Sequence, residues 1–479
     1  MKGTQFRITV STLAMISVTC ASANLAAAEI VLPDGVKSVL NVRNLPADSL
    51  SIYVESIESG EPVLTWNDEV PRNPASVMKM LTTLVALETL GPAYRWKTNI
   101  YFLGDISNGT LDGDVLVQGR GDPFLVTERF WQMLRVIRQA GVARIDGNLL
   151  LDDSYFNVPP YDPAAFDHEP LRAYNVGPNA LLSNFKVIRY VFEPDAATGK
   201  VRIRLDPEIA ELEVRNRLTI ASGACRGYQR GVTVTMNEAL DAVTFSGHFP
   251  AGCDVYSMDR TALNHNQYTF SLFKSLWLES GGQISGSWRN VITPVELMPD
   301  ITFPSMPLSE VISKINKHSN NVMARQLLYT LGAEVNGAPG TDEGGRDVIR
   351  NWLEHNGFDQ SAVNIHNGAG LSRDVRITSR LLASILRYAY DSPYMPEYVS
   401  SLSLSGLDGT MSRRFRNNEL TGIAHMKTGS LDDVSAIAGY FQAHSGKRYL
   451  VVMMQNHKDI HRGPGEEVQT ALLKWLYDR

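Results

Sequence analysis

The apolar residues of this chain follow two different periods. Ile52 and Val54, then Val63 and Leu64, flank Ser59-Gly60 and predict a hairpin within residues 51–66, which Pro71-Arg72-Asn73-Pro74 breaks. From Ser76 the period becomes helical, with Val77, Met80, Leu81, Leu84, Val85 and Leu87 on the repeat, and Gly91-Pro92 stops it. A strand-rich middle follows: residues 115–117, 148–151, 187–192, 201–205 and 232–236, punctuated by Asp146-Gly147, Thr198-Gly199 and Ala251-Gly252 as turns. Helical spacing returns over residues 308–315 and 322–331. Residues 422–427, 436–442 and 449–455 then read as three strands, the last two joined by a tight hairpin at Ser445-Gly446. Residues 466–477 close the chain as a helix with Val468, Leu472, Trp475 and Leu476 on one face. The pattern predicts an α+β protein in which an antiparallel sheet is flanked by N- and C-terminal helices. Neither an internal repeat nor a low-complexity segment interrupts it.

A chain of 479 residues exceeds the size of one core, so two or three domains are expected. The first residues read as a secretory leader: Lys2 and Arg7, an apolar run from Ile8 to Val18, then Ala26-Ala27-Ala28 as cleavage site, with Ala21-Ser22-Ala23 competing. The run is shorter than the roughly 20 residues of a membrane span, though an uncleaved anchor is the alternative reading. Thr19 before Cys20 is a poor lipoprotein signal, so Cys20 is expected to leave with the leader at residues 1–28. The net charge of −6, or −8 without Lys2 and Arg7, argues against a nucleic-acid partner. Cys225 and Cys253 remain, 28 residues apart, and an exported protein is expected to join them. Loop entropy would make that bridge worth roughly 3–4 kcal/mol. Two buried free thiols are the alternative.

The chemistry is carried by three short motifs in order: Ser76-Val77-Met78-Lys79, Ser319-Asn320-Asn321 and Lys427-Thr428-Gly429. A serine nucleophile at a helix start has backbone N–H groups and the helix dipole to stabilise developing negative charge. A lysine three residues on shares its helix face. Two further Ser-x-x-Lys matches lack that context: Ser271 with Lys274 falls inside a helix from about Tyr268 to Ser280, and Ser183 with Lys186 has no turn-to-helix start. Taken singly, each motif has a plain reading as an N-cap, a turn or a solvated lysine. His457 and His461 are spaced as on a helix, but Gly463-Pro464 indicates a loop, and no metal is expected. Gly119-x-Gly121 lacks the later glycine of a dinucleotide turn.

Jointly, Ser-x-x-Lys, Ser-x-Asn and Lys-Thr-Gly resemble the set of penicillin-binding proteins and serine β-lactamases. Further segments narrow the resemblance: Gly119-Arg120-Gly121-Asp122-Pro123, Asp152-Asp153-Ser154-Tyr155-Phe156, Asn316-Lys317-His318 before Ser319, Gly368-Ala369-Gly370-Leu371-Ser372-Arg373, Gly406-Leu407-Asp408-Gly409-Thr410, and Val434-Ser435-Ala436 through Ala438-Gly439-Tyr440. With these the chain resembles the D-alanyl-D-alanine carboxypeptidase/endopeptidases, the class C low-molecular-mass penicillin-binding proteins, over nearly its whole mature length. Asn367 stands where that family often has Asp, and Ser403 where Pro is common.

The resemblance implies a transpeptidase/β-lactamase-like domain interrupted by β-rich insertions. The interval of 243 residues between Ser76 and Ser319 accords with this. The expected boundaries are 29–95 with 292–479 for the catalytic domain, 96–182 with 257–291 for an inserted domain, and 183–256 for a second, nested one. It further implies that Ser76 forms an acyl-enzyme, with Lys79 as base if burial and Lys427 lower its pKa. Ser319 would relay a proton, Asn321 would hold Lys79 and the substrate, and Lys427 with Thr428 and Gly429 would receive a terminal carboxylate. The backbone N–H groups of Ser76 and Ser430 would form the oxyanion hole. Asp152 is either a contact for the cationic end of the peptide or a solvated turn carboxylate. The implied partners are peptidoglycan stem peptides ending in D-Ala-D-Ala or cross-linked, and β-lactams. No cofactor is implied, the location is periplasmic, and the oligomeric state is open, a homodimer included. β-Lactam hydrolysis and non-catalytic cell-wall binding are the rival readings.

Overall fold

The computed structural model describes residue 3 and residues 31–195, 197–225 and 231–479; the expected leader at 1–28, with Cys20 and both cleavage sites, lies outside the described residues. A six-stranded antiparallel sheet organises the two ends of the chain. Its strands run in the order Ser403–Leu404, Ala424–Leu431, Val434–Gln442, Arg448–Asn456, Leu50–Ser56 and Pro62–Trp66. The hairpin expected at 51–66 is therefore formed, and it docks on the last strand, with Ile52 opposite Met453.

Both faces of this sheet are covered, which explains the unbroken apolar run in Arg448–Asn456. Leu450, Val452 and Met454 face a core with the helices Lys79–Leu90, Leu308–His318, Asn321–Asn336 and Ser379–Asp391. Tyr449, Val451 and Met453 face the opposite core, closed by Asp34–Val42 and Pro464–Tyr477. The expected strand 422–427 begins later and runs further, as Ala424–Leu431, because its pairing continues to Leu431 opposite Val434. Lys427-Thr428-Gly429 thus lies within a strand. On its other side Ser403–Leu404 pairs only with His425 and Met426, so among the described residues the edge from Lys427 onward is open.

The middle of the chain builds separate sheets. A seven-stranded mixed sheet contains Lys97–Ser107, Thr110–Gly119, Arg144–Ile145, Leu149–Asp152, Gln283–Ile284, Trp288–Asn290 and Ile301–Pro304. Helices Thr127–Gln139 and His265–Glu279 share its core. Two three-stranded sheets, one of Val187–Asp195, Lys200–Asp206 and Tyr256–Thr261, the other of Glu213–Ala224, Val232–Met236 and Ala242–Gly252, meet through Tyr190, Phe192, Phe245 and Phe249. Ala251-Gly252, expected as a turn, is instead the end of a strand.

Two strand pairings close long stretches of the middle of the chain. Lys97 lies opposite Pro304, and Val187 opposite Thr261. The strands Ile301–Pro304 and Tyr256–Thr261 thus return to pair with Lys97–Ser107 and Val187–Asp195. Cys225 and Cys253 form the disulfide, fastening the ends of the parallel strands Glu213–Ala224 and Ala242–Gly252. No helix among the described residues is long and apolar enough to cross a membrane.

Candidate active site

Ser76 sits in a tight 3-10 turn, Ala75–Met78, that leads directly into the helix Lys79–Leu90. The preceding Ala75 has φ of 47°, a left-handed conformation that costs an alanine about 1 kcal/mol or more and is held only by its surroundings. Those surroundings are two glycines. A Cβ on Gly370 would lie 1.9 Å from the Ala75 carbonyl oxygen, and one on Gly429 would lie 2.4 Å from that of Pro74. The strand edge and the 367–371 loop can approach the Ser76 turn this closely only without side chains there.

Lys79 is completely buried. Its Nζ lies 2.9 Å from Ser76 Oγ, 2.7 Å from Asn321 Oδ1 and 2.5 Å from the Ala369 carbonyl oxygen. The last two can only accept. A neutral amine has two N–H bonds and one lone pair, so these partners consume both N–H bonds and leave the lone pair for the Ser76 hydroxyl. Burial lowers the Lys79 pKa well below its ordinary value, and the charges of Lys427 and Arg325 lower it further. The Ala369 carbonyl is placed by Asn367, whose Oδ1 accepts from Ala369 N–H and whose Nδ2 donates to Leu371 O. An amide does here, with both a donor and an acceptor, what a carboxylate could do only in part.

The Ser-Asn-Asn turn divides its work among three residues. Ser319 adopts a left-handed conformation (φ 55°, ψ 37°) that ends the helix Leu308–His318. Asn320 caps the next helix, its Oδ1 accepting from Met323 N–H at 3.1 Å. Asn321 opens that helix and points Oδ1 at Lys79, while its Nδ2 donates to Tyr174 O at 3.3 Å. Of the three residues, Asn320 is the one whose side chain caps the following helix.

Lys427 is also fully buried, and burial pushes its pKa down to about 7. Its Nζ donates to Ser319 Oγ at 2.9 Å and to Thr428 O at 2.7 Å. Thr428 Oγ1 donates to Thr410 Oγ1 at 2.8 Å. Ser430 is exposed on the same open edge, one residue beyond Gly429, whose Cβ position is 3.2 Å from the Ser76 backbone nitrogen.

The fold therefore brings Ser76, Lys79, Ser319, Asn321, Lys427, Thr428, Gly429 and Ser430 to one place. Asp152 is not among them. It is 1% exposed, and its oxygens accept from Ser154 N–H, Thr293 N–H, Thr293 Oγ1–H and Gln118 Nε2–H. Burial raises its pKa, but the bonds from Ser154 and Thr293 outweigh that and hold it below the usual range. Neither expected reading of Asp152, substrate contact or solvated turn, fits a carboxylate consumed in tying Leu149–Asp152 to the chain at Thr293.

The other Ser-x-x-Lys pairs do not meet. Thr269 Oγ1 donates to Ser183 Oγ, while Lys186 Nζ donates to Leu263 O; Ser271 is buried, and Lys274 pairs with Glu211. A short turn follows Ser183, but Asn184, Phe185 and Lys186 all have positive φ and a strand comes next, so no helix starts there and Ser183 and Lys186 are not presented as on an α-helix. His461 Nδ1 accepts from Asp433 N–H, and among the described residues no group of three or more His, Cys, Asp or Glu is arranged to hold a metal.

Two site groups lay outside every quoted segment, the Tyr174 carbonyl and Arg325, while the Ala369 carbonyl and Thr410 lie in quoted segments that had been given no role. Arg325 lies one turn beyond Asn321, 6% exposed, and its Nη1 donates to Tyr161 Oη at 2.7 Å and Val176 O at 3.1 Å. It fastens the 157–176 segment, which also supplies Tyr174 O, to the helix that carries Asn321.

The profile of the D-Ala-D-Ala carboxypeptidase 3 (S13) family matches residues 33–478. A D-alanyl-D-alanine carboxypeptidase of Actinomadura sp. is 24% identical over 446 residues, covering 89% of this chain and 81% of that one. The D-alanyl-D-alanine carboxypeptidase DacB of Haemophilus influenzae is 22% identical, covering 86% and 87%. Among solved structures, penicillin binding protein 4 of Haemophilus influenzae superposes with a TM-score of 0.78 at 20% identity, covering 94% of this chain and 100% of that one. A predatory peptidoglycan endopeptidase of Bdellovibrio bacteriovorus superposes at 0.53 with 16% identity, covering 89% and 92%. These structures share the fold, and the profile spans nearly all of the chain. The chain belongs to the D-Ala-D-Ala carboxypeptidase 3 (S13) family.

Proposed function

We propose that the protein is a serine D-Ala-D-Ala carboxypeptidase, and a DD-endopeptidase on cross-linked stems, acting through an acyl-enzyme on Ser76. The observation that carries this is the Lys79 amine, stripped of water, with both N–H bonds occupied and Ser76 Oγ at 2.9 Å.

The substrate would lie along the open edge beside Lys427, its terminal carboxylate received by Lys427 and Thr428. Ser76 Oγ attacks the carbonyl carbon of the penultimate D-alanine as its proton passes to Lys79 Nζ. The oxygen that becomes negative is held by the backbone N–H groups of Ser76 and Ser430. The C–N bond breaks, and Ser319 hands its hydroxyl proton to the departing amine of D-alanine. Water then attacks the ester, losing a proton to the same relay, and the shortened peptide leaves with Ser76 regenerated. A β-lactam would acylate Ser76 by the same first step. Relatives of this fold include a Haemophilus influenzae protein complexed with a β-lactam and a Bdellovibrio endopeptidase acylated by penicillin G.

This reading places the protein in the periplasm, with the leader expected at 1–28 removed. It treats the segments from residues 97 to 304 as insertions into the catalytic domain. The test is incubation with diacetyl-Lys-D-Ala-D-Ala and with a cross-linked muropeptide dimer. D-alanine release and dimer cleavage, both lost in Ser76→Ala, are expected; a protein that binds peptidoglycan yet releases nothing and takes up no penicillin would be a scaffold. Release of bound penicillin within milliseconds to seconds would make it a β-lactam hydrolase instead.

A further inference from the structure

The Ser319 turn opens into a groove of about 1560 Å3 whose walls extend well beyond the catalytic residues. His318 to Val322 and Tyr174 line it from the catalytic side. The remaining wall comes from the inserted segments: Glu128, Trp131 and Gln132 on one face of helix Thr127–Gln139, the 205–210 segment, and the end of helix His265–Glu279.

Trp131 is the informative residue. Its helix already meets the core through Phe130, Met133, Leu134 and Ile137. Trp131 is not part of that core: it is 45% exposed, with the Arg135 guanidinium 5.7 Å from its ring centroid and the rest of the ring lining the groove. A flat ring at a groove wall offers an apolar face and an indole N–H, the combination that suits a ligand with both ring faces and polar edges. Around it, the carboxylates of Glu128, Glu208 and Glu279 make no hydrogen bond or ion pair with other described residues. Such carboxylates repel an anionic peptide but accept hydrogen bonds from hydroxyl and amide N–H groups. The groove is thus suited to an uncharged, hydroxyl-rich polymer of rings, and it is continuous with the place where a stem peptide would be cut.

We infer that this groove binds the N-acetylated glycan strand to which stem peptides are attached, with Trp131 stacking on a sugar ring. This rests on the Ser76 reading for the substrate's identity. Its consequence is that the inserted segments select polymeric substrate: Ser76 receives a peptide from a strand already seated beside it, which raises its effective concentration.

The test separates the two claims. Uncharged oligosaccharides of N-acetylglucosamine, which lack the lactyl carboxylate that a peptide-free strand would expose, are titrated against the full protein by calorimetry and tryptophan fluorescence. Binding is expected, weakened at least about tenfold by Trp131→Ala. In the same variant the rate of penicillin acylation and the kcat/KM for free diacetyl-Lys-D-Ala-D-Ala should stay within about twofold of wild type, which shows the fold and catalytic site intact. Equal binding by wild type and Trp131→Ala overturns the inference, as does binding of a lysine-rich peptide but no oligosaccharide. Failure of wild type to take up penicillin would sink the Ser76 reading, while the oligosaccharide titration would still decide the groove.

Discussion

Lys427 Nζ donates to Ser319 Oγ at 2.9 Å, with both residues in the same cluster as the Lys79–Ser76 contact. The site therefore contains two Ser–Lys pairs, one assigned to start the reaction and one to finish it. Their lysines need opposite protonation states: Lys79 neutral as a base, Lys427 cationic as an anchor.

That requirement fixes the pH profile. Burial pushes Lys427 down to about 7, so in free enzyme its charge is lost as pH rises through 7. The kcat/KM for a peptide with a free carboxylate should fall about tenfold per pH unit above that point. Lys79 lies well below its ordinary value and sets the acid limb. Lys427→Arg, which cannot lose its charge, should be less active but free of the alkaline limb. A stopped-flow series from pH 5 to 10 reads both.

Arg325 is one of the charges that lower the Lys79 pKa. Arg325→Met removes it, so the Lys79 pKa rises and the acid limb moves to higher pH; Arg325→Lys should restore the original limb. An unmoved limb in Arg325→Met, with lower kcat alone, would mean that Arg325 merely fastens the 157–176 segment.

Lys79 should cost stability as it serves catalysis. Its folded pKa is depressed, so at neutral pH the unfolded chain binds a proton that the folded protein gives up, and the penalty grows as pH falls from the unfolded value toward the folded one. Lys79→Met should abolish acylation, slowing it by at least about 1000-fold, yet raise Tm by about 2–4 °C. Calorimetry beside penicillin uptake checks both.

Gly370→Ala should slow acylation about 100-fold with little change in substrate affinity, because its Cβ would overlap the Ala75 carbonyl and shift Ser76. Cys225→Ser with Cys253→Ser should behave in the opposite way. Losing the bridge costs about 2–4 kcal/mol of thermal stability in the three-stranded sheet that it fastens. None of those strands carries a residue of the Ser76 cluster, so penicillin acylation of the folded double variant should match wild type.

What could be read from the sequence followed physical type. The helix after Ser76 and the last three strands were legible because each has one period and a covered apolar face. The three motifs were legible because reactive side chains at fixed spacing imply each other. Ala369 and Tyr174 act through backbone carbonyls, which no residue identity announces. Arg325 reads in the sequence as an ordinary helix arginine, and only the crossing of the 157–176 segment gives it partners. Asp152 was misread because a turn-like sequence says nothing of Thr293, 141 residues away, which takes up its carboxylate. That Ile301–Pro304 pairs back with Lys97–Ser107, and Tyr256–Thr261 with Val187–Asp195, was not legible because a strand's own residues do not say which distant strand it joins.

The central claim is the acyl bond to Ser76. The most direct test is to trap the protein with penicillin G, digest it, and locate the adduct by mass spectrometry, in wild type and in Ser76→Ala. We expect one penicilloyl group on the peptide containing Ser76, lost completely in the variant together with D-alanine release from diacetyl-Lys-D-Ala-D-Ala. An adduct on any other residue, or D-alanine release that survives in Ser76→Ala, would contradict it.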